Sequence, residues 1–315
     1  MNAKKNNTTI ILATYNGEKY IIDQLQSLLN QSYKQFNVII RDDGSNDRTA
    51  ELVSDFIKQH RLEGQWNFKI NEKNKGWRKN FVDMLKSVDS EYVFFSDQDD
   101  LWRIKKLESM IEILQKNEDI GVLVSDYNLF GGQGGNEKVT KIDEVEVSPG
   151  LYKIKKNIKN LTIRRDGCAF AIRDSAIPSI LNVYSHIDKD GNGLPQAHDL
   201  ATWIAGLLSD SLYHTHEKLI DHRIHETSTW SIESKKLKKD NILIVSNLLA
   251  YYSSILNLRD VKKADQLKAE LVLKISDLDL EKKLIEDQSL LAIILSVKHF
   301  SSIKRYIGCV KRYLL

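Results

Sequence analysis

Cysteine, proline and long apolar runs are scarce in this sequence of 315 residues. The two cysteines, Cys168 and Cys309, are too few for a disulfide framework, so a reduced, cytoplasmic protein is expected. Only three prolines are present, which argues against disordered linkers. The apolar runs at residues 10–13 and 290–295 are far shorter than the roughly 20 residues of a spanning helix. The first run is also too short for a signal peptide, so we expect neither a membrane span nor an export signal.

An excess of one charge sign is missing as well. The 46 lysines and arginines against 43 acidic residues leave a net charge of +3, which is too small to indicate nucleic-acid binding by bulk charge. The hydrophobic fraction of 42% and the charged fraction of 28% are typical of a globular protein. A chain of this length accommodates one large domain, or one domain with a helical appendage.

Strand and helix patterns alternate over the first part of the chain, which is typical of βαβ units and a mainly parallel sheet flanked by helices. The predicted strands are 8–14, 36–40, 66–70, 92–96 and 121–125, and the predicted helices are 21–29, 46–59, 81–88 and 104–114. Later segments predict a strand over 162–172, a helix over 199–208 and a strand over 219–224. From about residue 235 the pattern is mostly helical. We therefore predict an α/β domain over residues 1–232 and a helical C-terminal extension over residues 233–315.

Polar clusters directly follow three predicted strands, at residues 14–16, 42–43 and 97–100. Ligands of open parallel sheets bind at the carboxyl ends of the strands. The like charges of Asp97, Asp99 and Asp100 repel one another and call for a cation. Mg²⁺ and Mn²⁺ prefer oxygen ligands and bridge carboxylates to substrate phosphates. The alternative interpretation is a solvated acidic turn before the next helix.

The other two clusters also have two interpretations. Residues 42–45 have a common turn composition, but the carboxylate of Asp43 can equally accept a hydrogen bond from a base or a ribose. Residues 14–17 also have a turn composition, and they present the ring of Tyr15 as a surface on which a base stacks.

Taken together, three segments resemble the family 2 glycosyltransferases of the GT-A fold. They are residues 11–17 (ILATYNG), 39–47 (IIRDDGSND) and 95–102 (FSDQDDLW), and their order and separations match as well. The resemblance implies an enzyme that transfers a sugar from a nucleotide-sugar donor to an acceptor hydroxyl. It implies that Asp97 and Asp99 form a metal–diphosphate motif for Mn²⁺ or Mg²⁺, with Asp99 as the more direct ligand. The residues that it implies in donor binding are Ala13, Thr14, Tyr15, Asn16, Asp43, Asn80, Asp97 and Gln98.

The second half of the chain is similar to a narrower group, the bacterial rhamnosyltransferase-like members that build surface polysaccharides. This likeness implies that Asp199, at a helix start, is the general base. The residues that it implies on the acceptor side or near the diphosphate are Gly167, Cys168, His198, Arg223 and His225. The chain departs from the group at His222, where many relatives have a tyrosine, and at residues 227–228, where many have an asparagine.

The implied role of Asp199 agrees with the chemistry of an inverting transfer. A hydroxyl that attacks the anomeric carbon must lose its proton, and a nearby carboxylate can accept it. A metal ion stabilises the charge that develops on the leaving diphosphate. Without the resemblance, Asp199 is interpreted as an acid that interacts favourably with a helix N-terminus.

The resemblance implies a non-processive transfer, because the Gln-Arg-Trp signature of processive synthases is absent from the sequence. The implied donor is dTDP-rhamnose or a UDP-hexose, and the implied acceptor is a growing cell-surface polysaccharide or a lipid-linked saccharide. Two other functions stay open. A nucleotide-sugar-binding assembly protein without catalysis is opposed by the intact aspartates. A nucleotidyltransferase would release pyrophosphate and usually carries a glycine-rich, basic loop after its first strand.

Two further features lie in the second half. The histidines His214, His216, His222 and His225 are interpreted as polar strand residues rather than as a zinc site, because no cysteine pair accompanies them. Residues 298–315 predict a basic amphipathic helix. One interpretation is that this helix binds the inner face of the cell membrane. The alternative is that it packs on the catalytic domain or on a second subunit of a homodimer.

Overall fold

The computed structural model describes residues 7–131, 141–161, 163, 165–187, 197–224, 241–262, 265–287 and 289–314. The chain divides into two compact units. The first consists of Met1–Asn182 and Ala197–Ile224, and the second consists of Val183–Gln196 and His225–Leu315. The predicted domain boundary between residues 232 and 233 lies outside the described residues and stays a prediction.

Within the described residues, ten strands form one sheet in the first unit. They are β1 (Thr8–Thr14), β2 (Phe36–Asp42), β3 (Trp66–Ile70), β4 (Tyr92–Ser96), β5 (Leu101–Trp102), β6 (Val122–Phe130), β7 (Glu144–Ser148), β8 (Leu151–Ile154), β9 (Phe170–Arg173) and β10 (Leu212–Arg223). Their order is β3-β2-β1-β4-β9-β6-β10-β8-β7, and β5 pairs with β10 off this path. The half from β3 to β4 is parallel, as is the β6–β10 pair, whereas the other pairs are antiparallel.

Helices flank this sheet and make up the described part of the second unit. They are α1 (Ile21–Leu29), α2 (Thr49–Gln59), α3 (Trp77–Leu85), α4 (Lys106–Lys116), α5 (Ile158–Leu161), α6 (Ile177–His186), α7 (His198–Leu208), α8 (Asn241–Leu256), α9 (Arg259–Lys262), α10 (Asp265–Asp287), α11 (Leu290–Leu295) and α12 (Ile303–Leu314). Short 3₁₀ turns occupy Gly167–Ala169, Asp174–Ala176 and Ser296–His299. The predicted α/β fold with a helical C-terminal region is confirmed.

Strand β1 lies between β2 and β4 and is buried on both faces, as expected for an apolar, β-branched run inside a parallel sheet. The register pairs Thr14 with Asp42 and Leu12 with Ser96. The polar clusters that follow these three strands therefore meet at one edge of the sheet.

The strands β1, β3 and β4 and the helix α1 have the predicted bounds, but other elements differ. Helix α3 begins at Trp77 rather than at residue 81, directly after Gly76, which has a φ of 81°. Strand β10 begins seven residues before the predicted start at residue 219. The strand predicted over 162–172 begins only at Phe170, because a 3₁₀ turn precedes it; residues 162 and 164 lie outside the described residues.

In the second unit, α12 packs against α10. Cys309 and Leu284 are buried in a shared apolar cluster. Arg305 pairs with Asp277, and Arg312 pairs with Glu281. Nowhere in the described part of the chain is there a helix with both the length and the apolar character needed to traverse a bilayer.

Candidate active site

Two loops, which follow β1 and β2, are joined by side-chain hydrogen bonds to the backbone. The fully buried carboxylate of Asp42 accepts hydrogen bonds from the Thr14 hydroxyl at 2.8 Å and from the Ser45 backbone N–H at 2.8 Å. Asn16 adopts a φ of 48°, a conformation that asparagine tolerates, and its Oδ1 accepts a hydrogen bond from Asn46 at 2.9 Å. Asp42, to which the resemblance assigns no role, therefore fixes the shape of this edge.

Gln98 joins the acidic loop after β4 to the loop after β1. Its Oε1 accepts a hydrogen bond from the Tyr15 N–H at 2.9 Å, and its Nε2 donates one to the Tyr15 carbonyl, also at 2.9 Å. These two bonds hold the backbone of Tyr15 beside the carboxylates, while 43% of the Tyr15 surface stays exposed. The backbone that carries this aromatic side chain is thus tied to the acidic loop.

The Gln98 bridge requires a glycine two residues after Tyr15. A Cβ added at Gly17 would lie 2.2 Å from the Gln98 Oε1. We expect Gly17→Ala to displace the carboxamide, break both hydrogen bonds and lower the free energy of unfolding by about 1–2 kcal/mol. Urea unfolding of Gly17→Ala, Gln98→Ala and the double variant tests this. The effects should be strongly non-additive, and simple addition would contradict the assigned contact.

Asp43 is almost fully buried and holds the loop before α3. Its carboxylate accepts hydrogen bonds from Asn71 Nδ2 at 2.8 Å and from the backbone N–H groups of Lys75 and Gly76 at 2.9 and 2.8 Å. Asn71 also donates to Asn80, whose amide donates to the Arg41 carbonyl at 3.1 Å. Asp43 and Asn80 thus belong to one network, and their contacts with a base stay a prediction.

The acidic loop after β4 concentrates negative charge in a poorly solvated place. Burial, followed by the charges of Asp100 and Asp99, raises the pKa of Asp97 well above the ordinary range of an aspartate. Asp100 is fully buried, and its Oδ1 accepts hydrogen bonds from His222 Nδ1 at 2.8 Å and from the Arg223 N–H at 3.1 Å. Its Oδ2 is buried and has no hydrogen-bond partner among the described residues.

This arrangement fits a hard divalent cation. The donors are carboxylate oxygens, one of which is buried and unpartnered. A nearby positive charge would favour the ionised form of Asp97, which is disfavoured by burial and by like charges. Asp97 and Asp99 are the residues that would hold Mg²⁺ or Mn²⁺, with Asp100 behind them.

His222 is a site residue that the sequence did not identify. Burial alone lowers its pKa, but the charges of Asp100, Asp166 and Asp97 outweigh this effect and raise it to about 10. His222 is therefore a cation that pairs with Asp100. The buried thiol of Cys168 lies 3.8 Å from His222 Nδ1, and burial raises the pKa of the thiol, which keeps it neutral. The only sequence signal for this pair was the histidine in place of the usual tyrosine.

Arg223 supports the acidic loop from β10. Its Nε donates a hydrogen bond to the Asp99 carbonyl at 2.8 Å. Its guanidinium lies 4.7 Å from the ring centre of Tyr20 and 4.4 Å from that of Phe130. Arg223 is thus fixed beside the predicted metal ligand Asp99, whereas the predicted His225 lies outside the described residues.

The start of α7 is anchored by His198, which is only 2% exposed. Its ring stacks on Phe81 at 4.1 Å and meets the edge of Phe95 in β4 at 4.7 Å. A Cβ added at Gly167 would lie 2.5 Å from His198 Nε2, so the absence of a side chain at Gly167 makes room for the ring. Asp199 follows directly, and its Oδ1 accepts a hydrogen bond from the Leu200 N–H at 2.7 Å. Packing of His198 on β4 thus ties Asp199 to the strand that carries the acidic loop.

The buried ring of His198 predicts a loss of stability in acid. Burial, and then the charge of Arg78, lowers its pKa to about 3, against 6.5 for the ordinary side chain. Between these two pKa values, only the unfolded chain binds this proton. The contribution of His198 to the free energy of unfolding is therefore fully present above pH 6.5 and is lost as the pH drops towards 3. The expected slope from this group is about 1.4 kcal/mol per pH unit. Urea unfolding between pH 7.5 and 4.5 should show a shallower loss for His198→Leu; equal slopes would contradict the assignment.

The chain is similar in sequence to proteins of one known family. The family model described as Glycosyl transferase family 2 matches residues 9–180. A UDP-Glc:α-D-GlcNAc-diphosphoundecaprenol β-1,3-glucosyltransferase of Escherichia coli is 27% identical over 256 residues, which cover 79% of this chain and 90% of the relative. A dTDP-rhamnosyl transferase of Shigella flexneri is 37% identical over 109 residues, which cover 34% of this chain and 37% of the relative.

Solved structures share the fold. TarS of Staphylococcus aureus in complex with UDP-GlcNAc aligns with a TM-score of 0.63 and 18% identity, over 98% of this chain and 91% of that chain. A mannosyltransferase of Pyrobaculum calidifontis in complex with GDP-Man and Mn²⁺ aligns with a TM-score of 0.52 and 13% identity, over 98% and 87%.

Proposed function

The chain belongs to glycosyl transferase family 2 and is a glycosyltransferase with the GT-A fold, and from this premise we propose an inverting, metal-dependent, non-processive transfer to an acceptor hydroxyl. The observation that carries the proposal is the bridge from Gln98 to Tyr15. It holds an exposed aromatic ring beside carboxylates that favour a cation, as the base and the diphosphate of one nucleotide-sugar require.

In the proposed reaction, the chain's own groups bind the donor and move one proton. The base of the donor stacks on Tyr15, and the network of Asp43 and Asn80 borders it. Asp199 accepts the proton of the acceptor hydroxyl as its oxygen attacks the anomeric carbon, while the bond to the diphosphate breaks. His222, as a cation, offsets the negative charge of the buried Asp100. The acidic loop therefore repels the leaving diphosphate less.

Asp97 and Asp99 would hold the divalent cation, Mn²⁺ or Mg²⁺. When bound, this ion supplies positive charge for the leaving diphosphate. Arg223 fixes the loop that carries both ligands, because it binds the Asp99 carbonyl rather than the carboxylate. The backbone of Asp99 is thereby held next to β10.

The donor that we propose is dTDP-rhamnose, with a UDP-hexose as the alternative. Support for rhamnose comes from the resemblance of the second half of the chain and from the Shigella relative, whereas the Escherichia coli relative uses a UDP-linked donor. The proposed acceptor is a saccharide of a growing cell-surface polysaccharide, free or lipid-linked.

Donor binding decides between these nucleotides. Calorimetric titration of dTDP-rhamnose, UDP-glucose, UDP-GlcNAc and GDP-mannose, each with Mn²⁺, with Mg²⁺ and with EDTA, should give metal-dependent binding of one donor. Tyr15→Ala should weaken this binding at least tenfold, whereas Tyr33→Ala on the α1–β2 connection serves as the matched control. Failure of every donor with either metal would refute the nucleotide site.

We also propose that the C-terminal helix contacts the inner face of the cell membrane. The apolar face predicted over residues 298–315 is divided, because Phe300, which precedes α12, is buried while Ile303 and Ile307 are 64% and 48% exposed. Two of the basic residues, Arg305 and Arg312, pair with acids of α10 and are not free for lipid. The exposed lysines of this surface are Lys298, Lys304 and Lys311. Exposed isoleucines with flanking lysines favour an anionic lipid surface.

Replacement of Ile303 and Ile307 by serine should reduce co-sedimentation with vesicles containing anionic phospholipid at least tenfold, because two apolar side chains no longer enter the bilayer surface. The matched control replaces the exposed Val272 and Leu273 of α10 by serine. Unchanged binding would refute the membrane contact. A change of oligomeric state instead would assign the face to a homodimer.

A further inference from the structure

A second cluster of metal-binding side chains lies outside the candidate active site. His214 and His216 of β10 meet Asp126 of β6 and Glu144 of β7. One ligand atom from each of Asp126, His214 and His216 lies within 4.8 Å of the others. None of these residues takes part in the proposed transfer, and the ligand chemistry differs from the all-oxygen acidic loop.

An irregularity in β10 brings both histidines to one place. The β10–β6 register passes from the pair Thr215–Ser125 directly to the pair Lys218–Asp126, so the two intervening residues of β10 have no counterpart in β6. Bulges of this kind redirect side chains. The two imidazoles lie with their ring centres 4.4 Å apart, and the Tyr152 ring packs edge-on against His216 at 4.5 Å.

Glu144 faces one nitrogen of each ring. Its Oε2 lies 2.8 Å from His214 Nδ1, and its Oε1 lies 3.2 Å from His216 Nε2. A carboxylate accepts hydrogen bonds, so each neutral histidine has a tautomer in which this nitrogen carries the proton and donates it to Glu144. The other two nitrogens, His214 Nε2 and His216 Nδ1, then present lone pairs.

Both lone pairs face the same carboxylate. His214 Nε2 lies 3.1 Å from Asp126 Oδ1, and His216 Nδ1 lies 3.2 Å from Asp126 Oδ2. Lone pairs that face a carboxylate at this distance repel it unless a positive charge lies between them. Ligand atoms around a tetrahedral zinc ion, at 2.0–2.1 Å from the metal, are roughly 3.3 Å apart. The two nitrogen–oxygen separations are close to this value, and one ligand atom of each of the three residues lies within 4.8 Å of the others.

We propose that Asp126, His214 and His216 bind a divalent transition-metal ion of the Zn²⁺ class, with Glu144 as the positioning residue that orients both imidazoles. Imidazole nitrogens suit Zn²⁺ and Co²⁺ and disfavour Mg²⁺, which separates this site from that of Asp97 and Asp99. Carboxylates that accept the second N–H of a metal-binding histidine are a common feature of such sites. The ion ties β6 and β10 together, and Glu144 extends this link to β7 at the edge of the sheet.

Co²⁺ is the probe, because its visible absorption reports coordination by nitrogen and oxygen, whereas a near-ultraviolet charge-transfer band would reveal binding to Cys168 or Cys309. The full-length chain is titrated in an Asp99→Asn background, which removes the acidic-loop site. We expect one equivalent of Co²⁺ without a thiolate band, displaced by Zn²⁺. Zn²⁺ at about 100 times its Kd should raise Tm by on the order of 5 °C.

The variants replace side chains whose exposure to solvent makes folding of the variant expected. His216 is half exposed, so His216→Ala should fold and should lower Co²⁺ affinity at least 100-fold. Glu144→Gln should lower it roughly 10- to 100-fold, as loss of an orienting carboxylate does. His299→Ala removes an exposed histidine of the second unit and should change nothing. Wild-type affinity in both His216→Ala and Asp126→Asn would overturn the proposal. So would the absence of Co²⁺ binding together with stabilisation in mild acid, since the cluster would then hold protons only.

Discussion

Asp199→Asn should lower kcat by roughly 10³-fold while the Kd of the nucleotide-sugar donor stays unchanged. The general base acts only in the step in which the acceptor hydroxyl loses its proton, and such groups typically contribute 10²- to 10⁴-fold. Asparagine preserves the size of the side chain and can still accept the hydrogen bond from the Leu200 N–H. The measurement compares kcat for the acceptor reaction with calorimetric donor binding in the same preparation.

The control for this variant is Asp174→Asn, which removes an exposed carboxylate of the same unit. Its kcat should equal that of the wild type. Equal kcat for Asp199→Asn and wild type would assign Asp199 to the helix N-terminus alone. Loss of donor binding would instead show that the start of α7 shapes the donor site.

Asp99→Asn should lower kcat/KM by roughly 10³-fold, about 4 kcal/mol of transition-state stabilisation, and should weaken metal-dependent donor binding. At the same time it should leave Tm unchanged or raise it in EDTA. The reason is that the Asp99 charge raises the pKa of Asp97, so the two carboxylates repel each other in the folded chain. Arg223 still binds the Asp99 carbonyl in the variant.

Loss of activity without loss of stability distinguishes a functional cluster from a solvated acidic turn. Glu118→Gln, which removes an exposed acid after α4, is the control and should change neither quantity. If Asp99→Asn keeps full activity in EDTA and in Mn²⁺ alike, the metal role of this loop is wrong.

The sequence was sufficient to predict the strands of the parallel half of the sheet. Apolar and aromatic patterns that end at polar turns predicted β1, β3 and β4 to the residue, and the edge where three polar clusters meet followed from strand order. The same patterns were insufficient elsewhere. The predicted strand began only at residue 219, where the apolar run begins, although alternation had already indicated that His214 and His216 are strand residues. The hairpin of β7 and β8 was not predicted, and β7 exposes most of its side chains.

The contacts that shape the candidate site depend on pairs far apart in the chain. Gln98 is separated from Tyr15 by 83 residues, and His222 from Asp100 by 122. Turn composition identified each loop, but it does not specify which side chain of one loop binds the backbone of another. The convergence of Asp126 and Glu144 on two histidines was invisible for the same reason.

We expect this chain to transfer the sugar of a nucleotide-sugar and to leave a nucleoside diphosphate. Phosphorus NMR of the preferred donor, incubated with Mn²⁺, a saccharide acceptor and the wild-type chain, tests it most directly. We expect the wild-type chain to form nucleoside diphosphate and glycosylated acceptor in equal amounts, and we expect Asp99→Asn to form neither product. Release of pyrophosphate, or a bound donor that stays intact with every acceptor, would contradict it.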